Sequence, residues 1–196
     1  DLPGTMRFIA RSVRGELELT RGNVRTAALI QRVSLRYAGN WRSILGSGSQ
    51  WELYILSMCL VTDVELSPDD AVELDARAVR ARATSLLREI LSDPAPLQRD
   101  IPTLMAFAAA VGLSAVAAED AGSDRRAVGA ELVATALAVG TNQTCRLLSH
   151  DYLRSRTERL DALALAQAEE RIRSLDRGGL VAHAADLAGR LAGEVG

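Results

Sequence analysis

The sequence predicts an all-α fold, a right-handed stack of antiparallel helix hairpins finished by a C-terminal helical cap. Three observations carry this expectation. One layout, a helix, a short polar break and an alanine-rich helix, is written three times, at residues 5–38, 51–91 and 101–139. The first two breaks, Gly22-Asn23 and Ser67-Pro68, are two residues long, which forces the flanking helices antiparallel and into contact. Of the 196 residues, 48% are apolar but only 4% aromatic, so Leu, Ala, Val and Ile must build a closely packed helical core. A single domain is expected at this length.

In the first hairpin Met6, Ile9, Ala10, Val13 and Leu17 recur at helical spacing and are expected to face the core. Gly22 then breaks the helix, and Asn23 can cap the next, which carries Ala27, Ala28, Leu29, Ile30 and Val33. Gly39–Gln50 reads as a Gly- and Ser-rich loop holding Trp41, Ile44 and Leu45. The length of apolar Trp51–Leu66 favours a buried helix over a strand. Ser67-Pro68-Asp69-Asp70 is a helix start, with Ser at the cap, Pro in the first turn and two acids at the positive dipole end. One helix is predicted from Asp69 to Leu91, stopped by Asp93-Pro94-Ala95-Pro96. The third hairpin runs from Ile101 to Val139 and ends at Gly140-Thr141-Asn142. Residues 151–191 form the cap, a long or broken helix over Asp151–Arg173 and a last helix over Leu180–Leu191, separated by Gly178-Gly179.

The net charge of −2 lacks the basic balance of a nucleic-acid-binding chain. No charge-free apolar run reaches the ~18 residues of a membrane span, and no signal peptide is evident. Two cysteines do not make a disulfide framework, so a reducing cytoplasm is expected. All 23 basic residues are Arg. A P-loop mechanism needs a Lys and is excluded within these residues. The opening Asp1-Leu2-Pro3, without an initiator Met, is expected of a fragment of a longer protein.

Several clusters invite chemistry. Cys145, His150 and Asp151 suggest a nucleophile, base and orienting group, but they share no helix face and no Gly-rich oxyanion element accompanies them. His150, His183 and Cys145 lack metal-site spacing. Asp69, Asp70, Glu73 and Asp75 could hold Mg²⁺, yet acids in a first helical turn are dipole partners, and Glu73 stands four residues before Arg77 for a surface ion pair. Arg77, Arg80 and Arg88, and again Arg154, Arg156 and Arg159, could bind anions; a solvated, ion-paired face explains them as well, with Glu158 and Asp161 near the second cluster. No catalytic, cofactor-binding or metal-binding residue is assigned. The aromatic concentration at Trp41, Trp51 and Tyr54, beside Arg42, is the expected ligand or partner surface, with core filling as the alternative for Trp51 and Tyr54. Trp41→Ala is expected to weaken ligand binding without shifting the melting temperature.

Gly15, Gly22 and Ala27 fall at the spacing of tetratricopeptide small-residue positions, and Ala115, Gly122, Ala127 and Ala134 take the corresponding places in the third hairpin. The offsets between Ala27, Ala71 and Ala127, 44 and 56 residues, exceed the ~34 of that repeat. The second half, through Arg99-Asp100-Ile101-Pro102-Thr103-Leu104, Asp124-Arg125-Arg126-Ala127, Ala130–Ala136, Arg159-Leu160, Glu169–Leu175 and Ala182–Ala188, resembles a known family. It is similar to the C-terminal tetratricopeptide region of large actinobacterial transcription regulators, the Streptomyces antibiotic regulatory protein type with a STAND ATPase and related LuxR-type ATP-binding regulators. The likeness covers roughly residues 99–190 and, more loosely, 5–40. Lys-free, Ala-rich usage fits such a GC-rich source. At Gly140–Ser149 the chain departs from the family's Gly- and acid-rich loop.

The resemblance implies a non-enzymatic protein-interaction or ligand-sensing module that controls an upstream ATPase and DNA-binding part. Its partners would be other domains of the same regulator, another protein or a small effector, with no direct nucleic-acid contact. The alternatives are a stand-alone effector-binding domain of a small repressor, or a helical Mg²⁺-dependent enzyme using the Asp69–Glu73 acids.

Overall fold

The structure, a computed structural model, describes residues 4–45, 50–92, 100–141 and 145–193. These residues form nine α-helices and a 3-10 turn, with no strand among them. None of the described helices is long and apolar enough to cross a membrane.

Helices α1 (Gly4–Thr20) and α2 (Val24–Leu45) form the first hairpin across the predicted Gly22-Asn23 turn. Two corrections apply here. The predicted loop from Gly39 continues α2 as far as Leu45, because only Gly39 and Asn40 disfavour helix and Trp41 to Leu45 hold no proline. Of the stripe expected to face inward on α1, Ala10, Val13 and Leu17 face outward instead, Val13 56% and Leu17 45% exposed, while the side chains of Met6 and Ile9 lie outside the described residues. Ser12 and Gly15 are the buried positions of this helix among the described residues, and Gly15 meets α2. A Cβ on Gly15 would lie 2.4 Å from Gln31 Nε2, so a small residue, not a large apolar one, faces the partner helix. On α2, Ala27 and Ala28 are buried as expected, while Leu29 and Val33 are exposed.

Helix α3 (Gln50–Asp63) is buried from Glu52 to Thr62 except at the half-buried Tyr54, as its apolar run predicts, and lies between α2 and α6. The predicted Asp69–Leu91 helix is two helices, α4 (Pro68–Glu73) and α5 (Ala76–Leu91). Ser67 caps α4, its hydroxyl oxygen accepting from Asp70 N–H at 3.3 Å. The break sits at Asp75, which adopts a left-handed φ of 53° and caps α5 by accepting from Ala78 N–H at 3.3 Å. Asp tolerates that backbone region better than most residues and is a good N-cap, so one residue both ends α4 and starts α5. The Asp93–Pro96 stop lies outside the described residues, and α5 ends at Leu91 as predicted.

Asp100 opens α6 (Ile101–Ala117), accepting from Thr103 N–H at 3.4 Å, with Pro102 in the first turn. From Leu104 to Val116 every residue of α6 is buried. It packs along α7 (Ser123–Val139), which also contacts α8 (His150–Ile172) and α9 (Arg177–Gly193). Between α7 and α8, a 3-10 turn at Arg146–Leu148 buries Leu147 and Leu148. Helix α8 is kinked at Asp161 (φ −158°), whose side chain accepts from Ala164 N–H at 2.9 Å and so caps the second half. Gly178-Gly179, predicted as a separator, are the first turn of α9: Asp176 accepts from Gly179 N–H at 2.7 Å.

The principal neighbours of α3 are α2 and α6, and α5 packs against the C-terminal α9. In a linear stack each unit touches only its sequence neighbours. The α5–α9 contact instead brings the middle of the chain against its last helix.

Candidate functional site

Where α3, α4, α5 and the α6–α7 turn meet, two adjoining surface clefts of about 500 and 510 Å³ share Arg77, Arg80 and Asp120. The first is walled by Val64 and Leu66 after α3, Pro68, Ala71 and Val72 of α4, and Ala118 after α6, together with the acids Asp63, Asp75 and Glu119. The second is lined by Arg77 and Arg80 of α5, Arg125 of α7, and the acids Asp120 and Asp124. Together they form one groove, apolar along α4 and lined elsewhere by three arginines and five carboxylates.

Local sequence explains each wall. Helical spacing puts Arg77 and Arg80 on one face of α5. The short connection after α6 brings Arg125, in the first turn of α7, beside them. Gly122, which lines this second cleft, offers no side-chain cap to α7. Arg80 is the most enclosed of the charges: its side chain is 20% exposed, while Asp120, its partner at 3.6 Å, is 65% exposed. Burial, and then the like charges of Arg125 and Arg77, hold the Arg80 guanidinium below its ordinary pKa despite Asp120. Arg125 also donates to the Leu191 carbonyl at 3.3 Å, which ties the groove to α9.

Helix α4 is the weakest wall. It contributes no buried residue, and Val72 is 83% exposed. It is fastened to α2 by Arg25, which donates to Asp70 and, at 2.6 Å, to Glu73. Arg25 holds the Glu73 carboxyl below its usual range; the Ser67 hydroxyl and then Arg25 do the same for Asp70. The acidic run therefore works as a cap and ion pairs. Glu73 does not pair with Arg77 as predicted, because the break at Asp75 ends the shared helix face. Among the described residues no group of three or more His, Cys, Asp or Glu is arranged to hold a metal ion.

The other predicted residues disperse. Trp51 and Tyr54 are half-buried against the core. Burial raises the Tyr54 pKa, with Cys145 alongside. Trp41 and Arg42 lie in the last turns of α2; their side chains fall outside the described residues. Cys145 is buried, 3.7 Å from Met58 Sδ, and burial pushes its thiol up to about 11. A nucleophile needs the thiolate, which that environment disfavours. His150 stands 3.8 Å from Asp151. Arg88 does not line the groove. The second arginine cluster divides among separate partners: Arg154 pairs with Glu158 and Glu169, and Arg156 pairs with Glu65 at 2.8 Å.

One polar hub has no precedent in the sequence reading. Glu131, buried in α7, accepts from Arg171 of α8 at 2.9 Å and lies 2.7 Å from His183 Nε2 of α9. Burial alone would raise its pKa, but these two bonds outweigh it and hold the carboxyl low. The signal available was a Glu inside the apolar run Val128–Leu137. Arg125 joined to Arg77 and Arg80 had no sequence signal, since no periodicity links them.

No protein-family model, no curated protein and no solved structure matches the chain.

Proposed function

We propose that this chain is a non-enzymatic ligand-sensing and interaction module of a bacterial transcription regulator. In this reading it is a cytoplasmic, tetratricopeptide-like helical array that controls ATPase and DNA-binding parts of the same polypeptide. The observation that carries the reading is α4, a helix with no buried residue that forms one wall of a groove and is held from outside by Arg25. Elements that respond to ligands come from the weakly held parts of a fold. A molecule in the groove that prefers α4 docked shifts the population toward that packing, and contacts through Arg125 and α9 pass the difference on.

The test is the full reading frame that encodes these residues. A P-loop ATPase and a DNA-binding domain in the same polypeptide support the proposal, and their absence contradicts it. One observation favours the second reading, an effector-binding domain of a small repressor. Val13 and Leu17 on α1, with Leu29, Val33 and Tyr37 on α2, are all at least 40% exposed, as a dimer face would be before pairing. Sedimentation as a dimer that Leu17→Glu dissolves supports this alternative, and a monomer at all concentrations rules it out.

A further inference from the structure

We propose that Asp161 is a hinge through which two copies of this chain exchange residues 162–193. Helix α8 straightens, and its second half together with α9 takes, on the second copy, the place it holds here. This goes beyond the sensing role proposed above and does not depend on it.

The kink in α8 is a reversal. In a straight helix residues 154 and 169 stand about 22 Å apart, farther than an Arg and a Glu side chain can bridge. Yet Arg154 reaches Glu169 at 2.5 Å while also holding Glu158 at 2.9 Å. The chain therefore turns back at one non-helical residue, and Arg154 clasps the two halves together. No Gly or Pro stands anywhere from His150 to Ile172. Leu160 and Ala162, on either side of Asp161, are good helix formers, so local preference favours one continuous helix and tertiary contacts impose the reversal. Those contacts form a separable set: Arg171 and His183 on Glu131, Ala164 clustered with Val116 and Ala130, and Arg125 on the Leu191 carbonyl. A second copy offers the identical set, so exchange loses none of them and removes the reversal. Leu160 and Leu163, 45% and 68% exposed at the reversal, mark where the copies meet. In a straight α8, Leu153, Thr157, Leu160, Ala164 and Ala168 recur every three or four residues and form one stripe. Two straightened helices crossing at their hinges cover both leucines.

Light scattering after size separation tests this on residues 1–196 refolded from denaturant at low and high protein concentration. A dimer whose share grows with concentration is expected. Asp161→Ala removes the cap of the second half in both copies and should raise the dimer-to-monomer ratio about tenfold. Ala162→Pro suits the first turn of the folded-back half but not the interior of a straight helix, so it should stay a folded monomer with the parent's circular dichroism. The two substitutions act in opposite directions, so misfolding of either cannot imitate the predicted pair. Leu17→Glu should leave this dimer intact, which separates it from pairing through α1 and α2. A dimer that persists in Ala162→Pro overturns the exchange, since the copies then meet without straightening α8. Loss of the dimer in Leu17→Glu overturns it as well. So does monomer alone at every concentration in both the parent and Asp161→Ala.

Discussion

Gly112 of α6 and Gly129 of α7 meet backbone to backbone: a Cβ on Gly112 would lie 2.5 Å from the Gly129 carbonyl oxygen, and one on Gly129 would lie 2.7 Å from the Gly112 carbonyl oxygen. This reciprocal contact sets the spacing of the two central helices. The turn after α6, and with it Arg125, depends on that spacing.

Gly129→Ala should therefore destabilise the fold, although Ala is the better helix former by about 1 kcal/mol. The clash is with backbone, which cannot rotate away, so a net loss of about 1–3 kcal/mol is expected, read as a lower melting temperature. An unchanged or raised melting temperature would show that α6 and α7 separate without cost.

Removing the outer fastening of α4 should act locally. In Arg25→Ala, amide exchange at Ala71 to Leu74 should rise while α6 and α7 keep their protection, because the pair is exposed and the core is untouched. Loss of protection across the whole chain would place Arg25 in the global fold instead.

Acid should release the same helix. The carboxyls of Asp70 and Glu73 are held below their ordinary values of 3.8 and 4.5. A carboxyl depressed in the folded state stabilises it above the unfolded pKa, and that contribution is lost as pH falls through the folded pKa. Docking of α4 is thus complete at neutral pH and weakens below about pH 4. Amide resonances of α4 should shift there ahead of those of α6, and simultaneous loss of both would contradict the local linkage.

Much of the helix order was legible because breaks and caps are short-range signals. Ser67, Asp100 and Gly22 mark their boundaries through residues at most three positions away. The stop at Asp75 was not legible, since a left-handed Asp carries no pattern until a second helix is seen to start from it. Periodicity on α1 named an apolar stripe whose described members, Ala10, Val13 and Leu17, lie on the outer side, because the close approach at Gly15 left the larger residues outside. The groove was half legible: Arg77 and Arg80 stand on one helix face, but Arg125 reaches them only through tertiary packing. Trp51 and Tyr54 are legible as an aromatic concentration, and the structure places both half-buried against the core.

Glu131→Gln should lower stability by about 1–3 kcal/mol, because it removes the charge shared by Arg171 and His183 at the junction of α7, α8 and α9. Thermal melting at neutral pH checks this. A melting temperature equal to the parent's would mean the three helices are held by their apolar contacts alone.

Hydrogen exchange of residues 64–80 and 101–139 tests the central claim that α4 is the weakly held wall of the groove. The account predicts faster exchange in α4 than in α5, α6 and α7. Exchange in α4 as slow as that in α6 would contradict the claim.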